Sequence, residues 1–198
     1  LLLRQFLSFI HFNFSTRKPF KILFLGSLFP HLHNGAINDL CNAVTELSDN
    51  GHPLVFNLYG QRVPSDFLTT EIDGKSVVHH GEVPAEERFN IMQDHHAFVV
   101  PSTFDSNVAD EYCFSIPTKL PELLASGRPT IVYGPDVMEA YRFCNDNDCG
   151  YLIDERSVDK IKASIVEIME TYREQLSASI AQAKKIQHLV SKSSQVPR

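Results

Sequence analysis

The chain lacks any block of basic residues. Its 18 lysines and arginines are scattered among 24 acidic residues, leaving a net charge of −6. A nucleic-acid partner requires a basic face, so that class is set aside. Cysteine is also scarce. The four cysteines, at 41, 113, 144 and 149, show no metal-ligand spacing and no dense framework, which points to reduced thiols in a cytoplasmic protein. The nine histidines include the pairs His31/His33, His79/His80 and His95/His96. Adjacent side chains on a strand point to opposite faces, so the last two pairs make poor chelates, and no metal or cofactor is expected. Apolar runs are short: Leu1–Phe14 is interrupted by Arg4, Gln5, His11 and Asn13 and cannot span a bilayer. The same stretch has no charged leader and no small-residue cleavage site, which argues against a signal peptide. Asn13-Phe14-Ser15 matches a glycosylation acceptor, but nothing else in the sequence points to secretion. Internal repeats and low-complexity tracts are absent.

What the chain does have is enough apolar residue for one core: 198 residues, 43% of them hydrophobic. The first residue is Leu1, which suggests a fragment. Residues 1–19 are expected to be a linker or helix from a missing N-terminal domain, with peripheral membrane contact as the weaker alternative. Residues 20–175 form the main domain and 176–198 a helical tail. From Phe20 onward, buried runs alternate with amphipathic stretches. Ile22–Leu25, Leu54–Tyr59, Ser76–His79, Ala97–Val100, Thr130–Tyr133 and Gly150–Ile153 read as strands. Asn38–Asp49, Pro84–Asp94, Val137–Cys144, Ser157–Tyr172 and Ala178–Val190 read as helices. Residues 61–75 read as an irregular connection and 101–116 as a long polar loop. This alternation predicts an α/β fold, a doubly wound parallel sheet of Rossmann-like type. Ligands of such sheets sit beyond the carboxyl ends of the strands, so the turns at Gly26, Gly60, Gly81 and 101–117 should meet at one crevice.

The segment from Ser115 to Ile131 carries the most chemistry. It reads as a short helix opened by Pro117, closed by Gly127 and running into a strand. Proline suits a first helical position because its missing N–H would have no partner there. Glycine suits the left-handed residue just past a helix end. Free N–H groups at the helix start favour an anion, and Glu122 lies one turn further on the face of Thr118. Phosphate donors beside a carboxylate that accepts hydroxyl protons match the needs of a nucleoside diphosphate. An ordinary helix–strand connection with a surface glutamate remains the plain alternative.

The residues Pro117-Thr118-Lys119, Glu122, Ser126-Gly127 and Pro129 resemble the donor-binding half of a GT-B glycosyltransferase of the "group 1" kind. Three further landmarks follow the family order: Lys21–Gly26, Val78–Pro84 and Phe98–Ser102. The resemblance covers about 20–155. It implies one half of a two-domain enzyme that binds a nucleoside-diphosphate sugar, UDP- or GDP-linked. It also implies that the acceptor site and any general base lie largely on the missing N-terminal domain. By resemblance, Glu122 accepts hydrogen bonds from the ribose hydroxyls. Ser115, Ile116, Pro117 and Thr118 surround the diphosphate, Lys119 neutralises it or faces solvent, and Gly26 and Ser27 let backbone approach the anion. Gly81, Glu82 and Val83 line the base pocket or form a plain turn.

Two departures from the family pattern stand out. Phe114 occupies the place of the first of two glutamates found in many members, with Asp110 and Glu111 as nearby substitutes. The arginine and lysine that often face the diphosphate are replaced by Ser27 and by the loop His31-Leu32-His33-Asn34. Of that loop, His33 or Asn34 could donate to phosphate, and cationic help would have to come from Arg128, Lys119 or a metal. Three functions stay open: glycosyl transfer to an unknown acceptor, nucleotide-sugar epimerisation, and a catalytically degenerate nucleotide-binding or interaction module.

Overall fold

The computed structural model describes residues 19–61, 72 and 74–193. Most of the segment 1–19, the Asn13 acceptor and most of the connection 61–75 lie outside the described residues. Six parallel strands form one sheet in the order β3-β2-β1-β4-β5-β6. They are β1 (Phe20–Leu25), β2 (Leu54–Tyr59), β3 (Val77–Gly81), β4 (Ala97–Pro101), β5 (Thr130–Tyr133) and β6 (Tyr151–Ile153). Seven helices are described: α1 (Pro30–Asp49), α2 (Arg88–Gln93), α3 (Ser106–Tyr112), α4 (Leu120–Ala125), α5 (Glu139–Asp146), α6 (Val158–Glu170) and α7 (Tyr172–Ser193). The strand order reverses between β1 and β4, so the crevice beyond their carboxyl ends is the place where this architecture receives ligands.

Successive residues of β1 separate into two cores. Ile22 and Phe24 pack with Ile37, Leu40 and Val44 of α1 and Ile161, Ile165 and Ile168 of α6. Leu23 and Leu25 face the other way, onto Met92 of α2, Leu120, Leu123 and Leu124 of α4, and Ile186 of α7. A strand covered on both faces has no polar side to expose, which explains the unbroken apolar run. All four cysteines are free, and Cys41, Cys144 and Cys149 are buried.

Several element ends differ from the sequence reading, each for a local reason. The first helix begins at Pro30, with Phe29 as an extended N-cap, rather than at Asn38. Histidine, asparagine and Gly35 are weak helix formers, so propensity alone hides these two turns. Tertiary contact supports them: the Arg156 guanidinium covers Gly35, with Nη2 3.3 Å from where a Cβ would be. The 101–116 loop contains α3, which the Asp105 carboxylate caps by accepting from the Asn107 N–H at 3.0 Å. The helix read over Pro84–Asp94 is only Arg88–Gln93, with Met92 fully buried.

The segment 115–131 is corrected at its start and upheld at its end. Pro117 does not open the helix. Its carbonyl accepts from the Leu120 N–H at 2.9 Å in a turn, and α4 runs from Leu120 with Pro121 in its first turn. Gly127 does close it, at φ +72, with its N–H on the Leu124 carbonyl. A Cβ on Gly127 would come within 3.0 Å of Ile180 Cγ1, so α7 docks directly on this cap.

Candidate donor site

One cavity of about 760 Å³ opens at the carboxyl edge of the sheet, over the switch point. The turn after β1 contributes Gly26 and Ser27, and the end of β2 contributes Tyr59, Gly60 and Gln61. Glu82, Val83 and Pro84 come from the connection after β3, and Arg88 from α2. Pro101, Ser102 and Thr103 follow β4, and residues 115–120 complete the lining. The expected convergence of loops is therefore what the fold builds.

Nine of the eleven residues singled out as donor-binding line this cavity: Gly26, Ser27, Glu82, Val83, Ser115, Ile116, Pro117, Thr118 and Lys119. Gly81 and Glu122 do not. Gly81 turns the chain into the wall segment, at φ +78 with open space around its Cα. Glu122 is exposed on α4, beside Leu123, which does line the wall. Asp110 and Glu111 are exposed on α3 and off the wall. Phe114 is 82% exposed and also off the wall.

The loop after β1 brings one histidine to the cavity. His33 lines the cavity, and its Nδ1 accepts from the Phe29 N–H at 3.1 Å. Burial, then the neighbouring His31, lower its pKa to about 4, so it is neutral at pH 7 and supplies no charge. Asn34's side chain lies outside the described residues. Arg128 is turned away, donating from Nη2 to the Gln93 carbonyl at 3.2 Å. Of the cations weighed from sequence, Lys119 alone stands in the wall.

The β2–β3 edge shows how the far end is shaped. Strand register slips between Leu58/His79 and Tyr59/Gly81, leaving His80 as the extra residue of a bulge. Its ring stacks on Tyr59 at 4.3 Å and 9°, and its Nε2–H donates to Asn57 Oδ1 at 2.7 Å. The bulge thus holds Tyr59 in the cavity wall. Sequence reading missed Tyr59, Tyr112, Met138 and Arg88 as lining residues. Arg88 could have been found from its position four residues past Pro84, at the helix start facing the crevice.

A parallel doubly wound sheet with this crevice is the architecture of a GT-B half-domain. Residues 19–171 match the family described as "Glycosyl transferases group 1", and the chain belongs to that family. No curated protein sequence gives a significant match. Among solved structures, the C-terminal domain of the glycosyl transferase group 1 family protein LpcC from Francisella tularensis is similar, with a TM-score of 0.62 and 14% identity. That match covers 100% of this chain and 94% of that domain. The pneumococcal O-GlcNAc transferase GtfA, in complex with UDP and GlcNAc, is similar at a TM-score of 0.52 and 21% identity. There the match covers 89% of this chain and 35% of that one. The UDP-GlcNAc 2-epimerase from Neisseria meningitidis, bound to UDP-GlcNAc, is similar at 0.54 and 15%, over 93% of this chain and 45% of that one. The chain therefore spans between a third and a half of these two enzymes. The domain resembles the C-terminal, donor-binding half of group 1 enzymes.

Proposed function

We propose that the cavity binds a nucleoside-diphosphate sugar and that the chain is the donor half of a glycosyltransferase. The observation that carries this reading is the placement of Ser115–Lys119 and the Gly26–Ser27 turn on one cavity wall. Backbone N–H groups, the Ser115 and Thr118 hydroxyls and the Lys119 ammonium form a donor-rich surface for a diphosphate. Glu82 and Val83 flank the far end, where a base would lie beside the Tyr59 ring. Glu122 takes the ribose from the rim. In transfer, the same donors stabilise the charge that develops on the departing diphosphate. The acceptor and the general base belong to a partner domain, so this chain alone binds donor and turns over little.

Transfer is preferred to epimerisation because Glu82 is the one carboxylate in the described wall. An acid–base pair drawn from this wall would need a second group beside Glu82, and His33, with its pKa lowered to about 4, is a weak base that carries no imidazolium proton to donate at pH 7. Titration calorimetry with UDP, GDP and ADP tests the reading. Binding of at least one, weakened by Thr118→Val or Lys119→Ala, is the expected result. Failure of all three to bind would leave an interaction module and sink the proposal.

A further inference from the structure

The cavity wall carries one more cation than the sequence reading assigned. Arg88 lines it from the first residue of α2, while Lys119 lines it from the turn before α4. Both helices pack on the same face of the sheet, through Met92 of α2 and Leu120, Leu123 and Leu124 of α4. Arg88 and Lys119 thus enter one cavity from two helices of the same layer.

Arg88 is uncommitted. It makes no ion pair and no side-chain hydrogen bond among the described residues, although Glu86 and Glu87 precede it. The other arginines near the ligand side are engaged: Arg128 donates to Gln93, and Arg156 is bound to Asp39. The ionised groups of the described wall are thus Lys119 and Arg88 against Glu82. A half-buried guanidinium with five donors and no partner among the described residues, in a cavity whose described wall is net positive, selects an anion with several oxygens.

We propose that Arg88 is the second cation of this site and binds the diphosphate of the donor. It supplies a positive charge that neither Ser27 nor the neutral His33 provides. The proposal rests on the nucleotide-sugar reading and adds a residue to it. Arg88 reaches the phosphate oxygens from α2 and can pair with two of them at once, as a planar guanidinium does.

The test uses the full chain, its Arg88→Ala and Arg88→Lys variants, and UDP, GDP, inorganic pyrophosphate, uridine and guanosine as probes. Calorimetry reads the first three and NMR shift titration the nucleosides. Arg88→Ala should weaken UDP, GDP and pyrophosphate by about tenfold at low salt, with nucleoside affinity unchanged. Arg88→Lys should fall between, since it keeps the charge and loses the fork. Unchanged diphosphate affinity in Arg88→Ala, with UDP or GDP still bound, would overturn the role of Arg88 alone. An equal loss for uridine or guanosine would place Arg88 on the base or ribose and overturn it equally. A wild-type chain that binds none of UDP, GDP and ADP would remove the nucleotide reading itself, and this role with it.

Discussion

A Cβ on Gly60 would stand 2.0 Å from the carbonyl oxygen of Gly26, so the turns after β1 and β2 meet backbone to backbone. The contact is locked by the Gly26 N–H on the Tyr59 carbonyl at 2.9 Å and the Gly60 N–H on the Gly81 carbonyl at 2.8 Å. Both turns line the cavity. Gly60→Ala must push the Gly26 carbonyl aside, and overpacking of this kind costs about 1–3 kcal/mol. We expect a lower urea midpoint together with weaker UDP or GDP binding. A variant with wild-type affinity would separate the Gly26 turn from the ligand.

How much of this was legible in advance follows from what each residue needed. The strands were readable because both faces are buried, so Ile22–Leu25 and Leu54–Tyr59 announce themselves as apolar runs. Gly127 was readable because a left-handed helix cap is a local demand. The first two turns of α1 were not, because Arg156, far away in sequence, covers Gly35. The turn at Pro117 was misjudged since proline suits both a first helical residue and the bend before one. Arg88 was missed because a lone arginine before an amphipathic stretch reads as a solvated residue until the fold brings α2 beside α4.

Glu122 is proposed as the ribose contact although it stands outside the cavity lining. It is exposed on α4, next to wall residue Leu123, rather than in the wall itself. A hydrogen bond to a charged acceptor contributes about 1.5–3 kcal/mol. Glu122→Gln is therefore expected to weaken UDP or GDP by roughly tenfold. It should also narrow the preference for the ribonucleotide over its 2′,3′-dideoxy analogue, since the amide oxygen accepts more weakly than the carboxylate. Equal affinity of the variant and the wild type would take Glu122 out of the site.

Acid sensitivity is built into three histidines. His33, His95 and His96 each have a pKa lowered from 6.5 to about 4, chiefly by burial. Unfolded, they bind protons near pH 6.5; folded, they resist until about pH 4. The unfolded state thus holds more protons in that window, and stability falls as pH drops through it, by roughly 3 kcal/mol per residue. His96 Nδ1 accepts from the Lys21 N–H at 2.8 Å, and protonating that nitrogen breaks the bond. His96→Asn can still accept there and does not titrate. Urea midpoints at pH 7, 6 and 5 should fall less steeply in this variant than in wild type. An equally steep fall would contradict the assignment.

The Asp39 carboxylate ties α1 to β5 and to the connection before α6. It accepts from the Tyr133 hydroxyl at 2.9 Å and from Arg156 Nε and Nη2 at 2.8 and 3.1 Å. Tyr133 is fully buried, so Asp39→Ala strands its hydroxyl, a loss of about 1–3 kcal/mol, while the largely exposed Arg156 guanidinium turns to solvent. Asp39→Asn retains an acceptor for the hydroxyl, and Tyr133→Phe removes the donor cleanly; each should cost about 1 kcal/mol. Burial and the bond to Asp39 also raise the Tyr133 pKa. The unfolded tyrosine releases its proton near pH 10 while the folded one keeps it, so this contribution is full below pH 10 and declines above it. Denaturation curves from pH 8 to 11 should show wild type losing stability faster than Tyr133→Phe. If the two curves run parallel, the hydroxyl is not held against its carboxylate in solution.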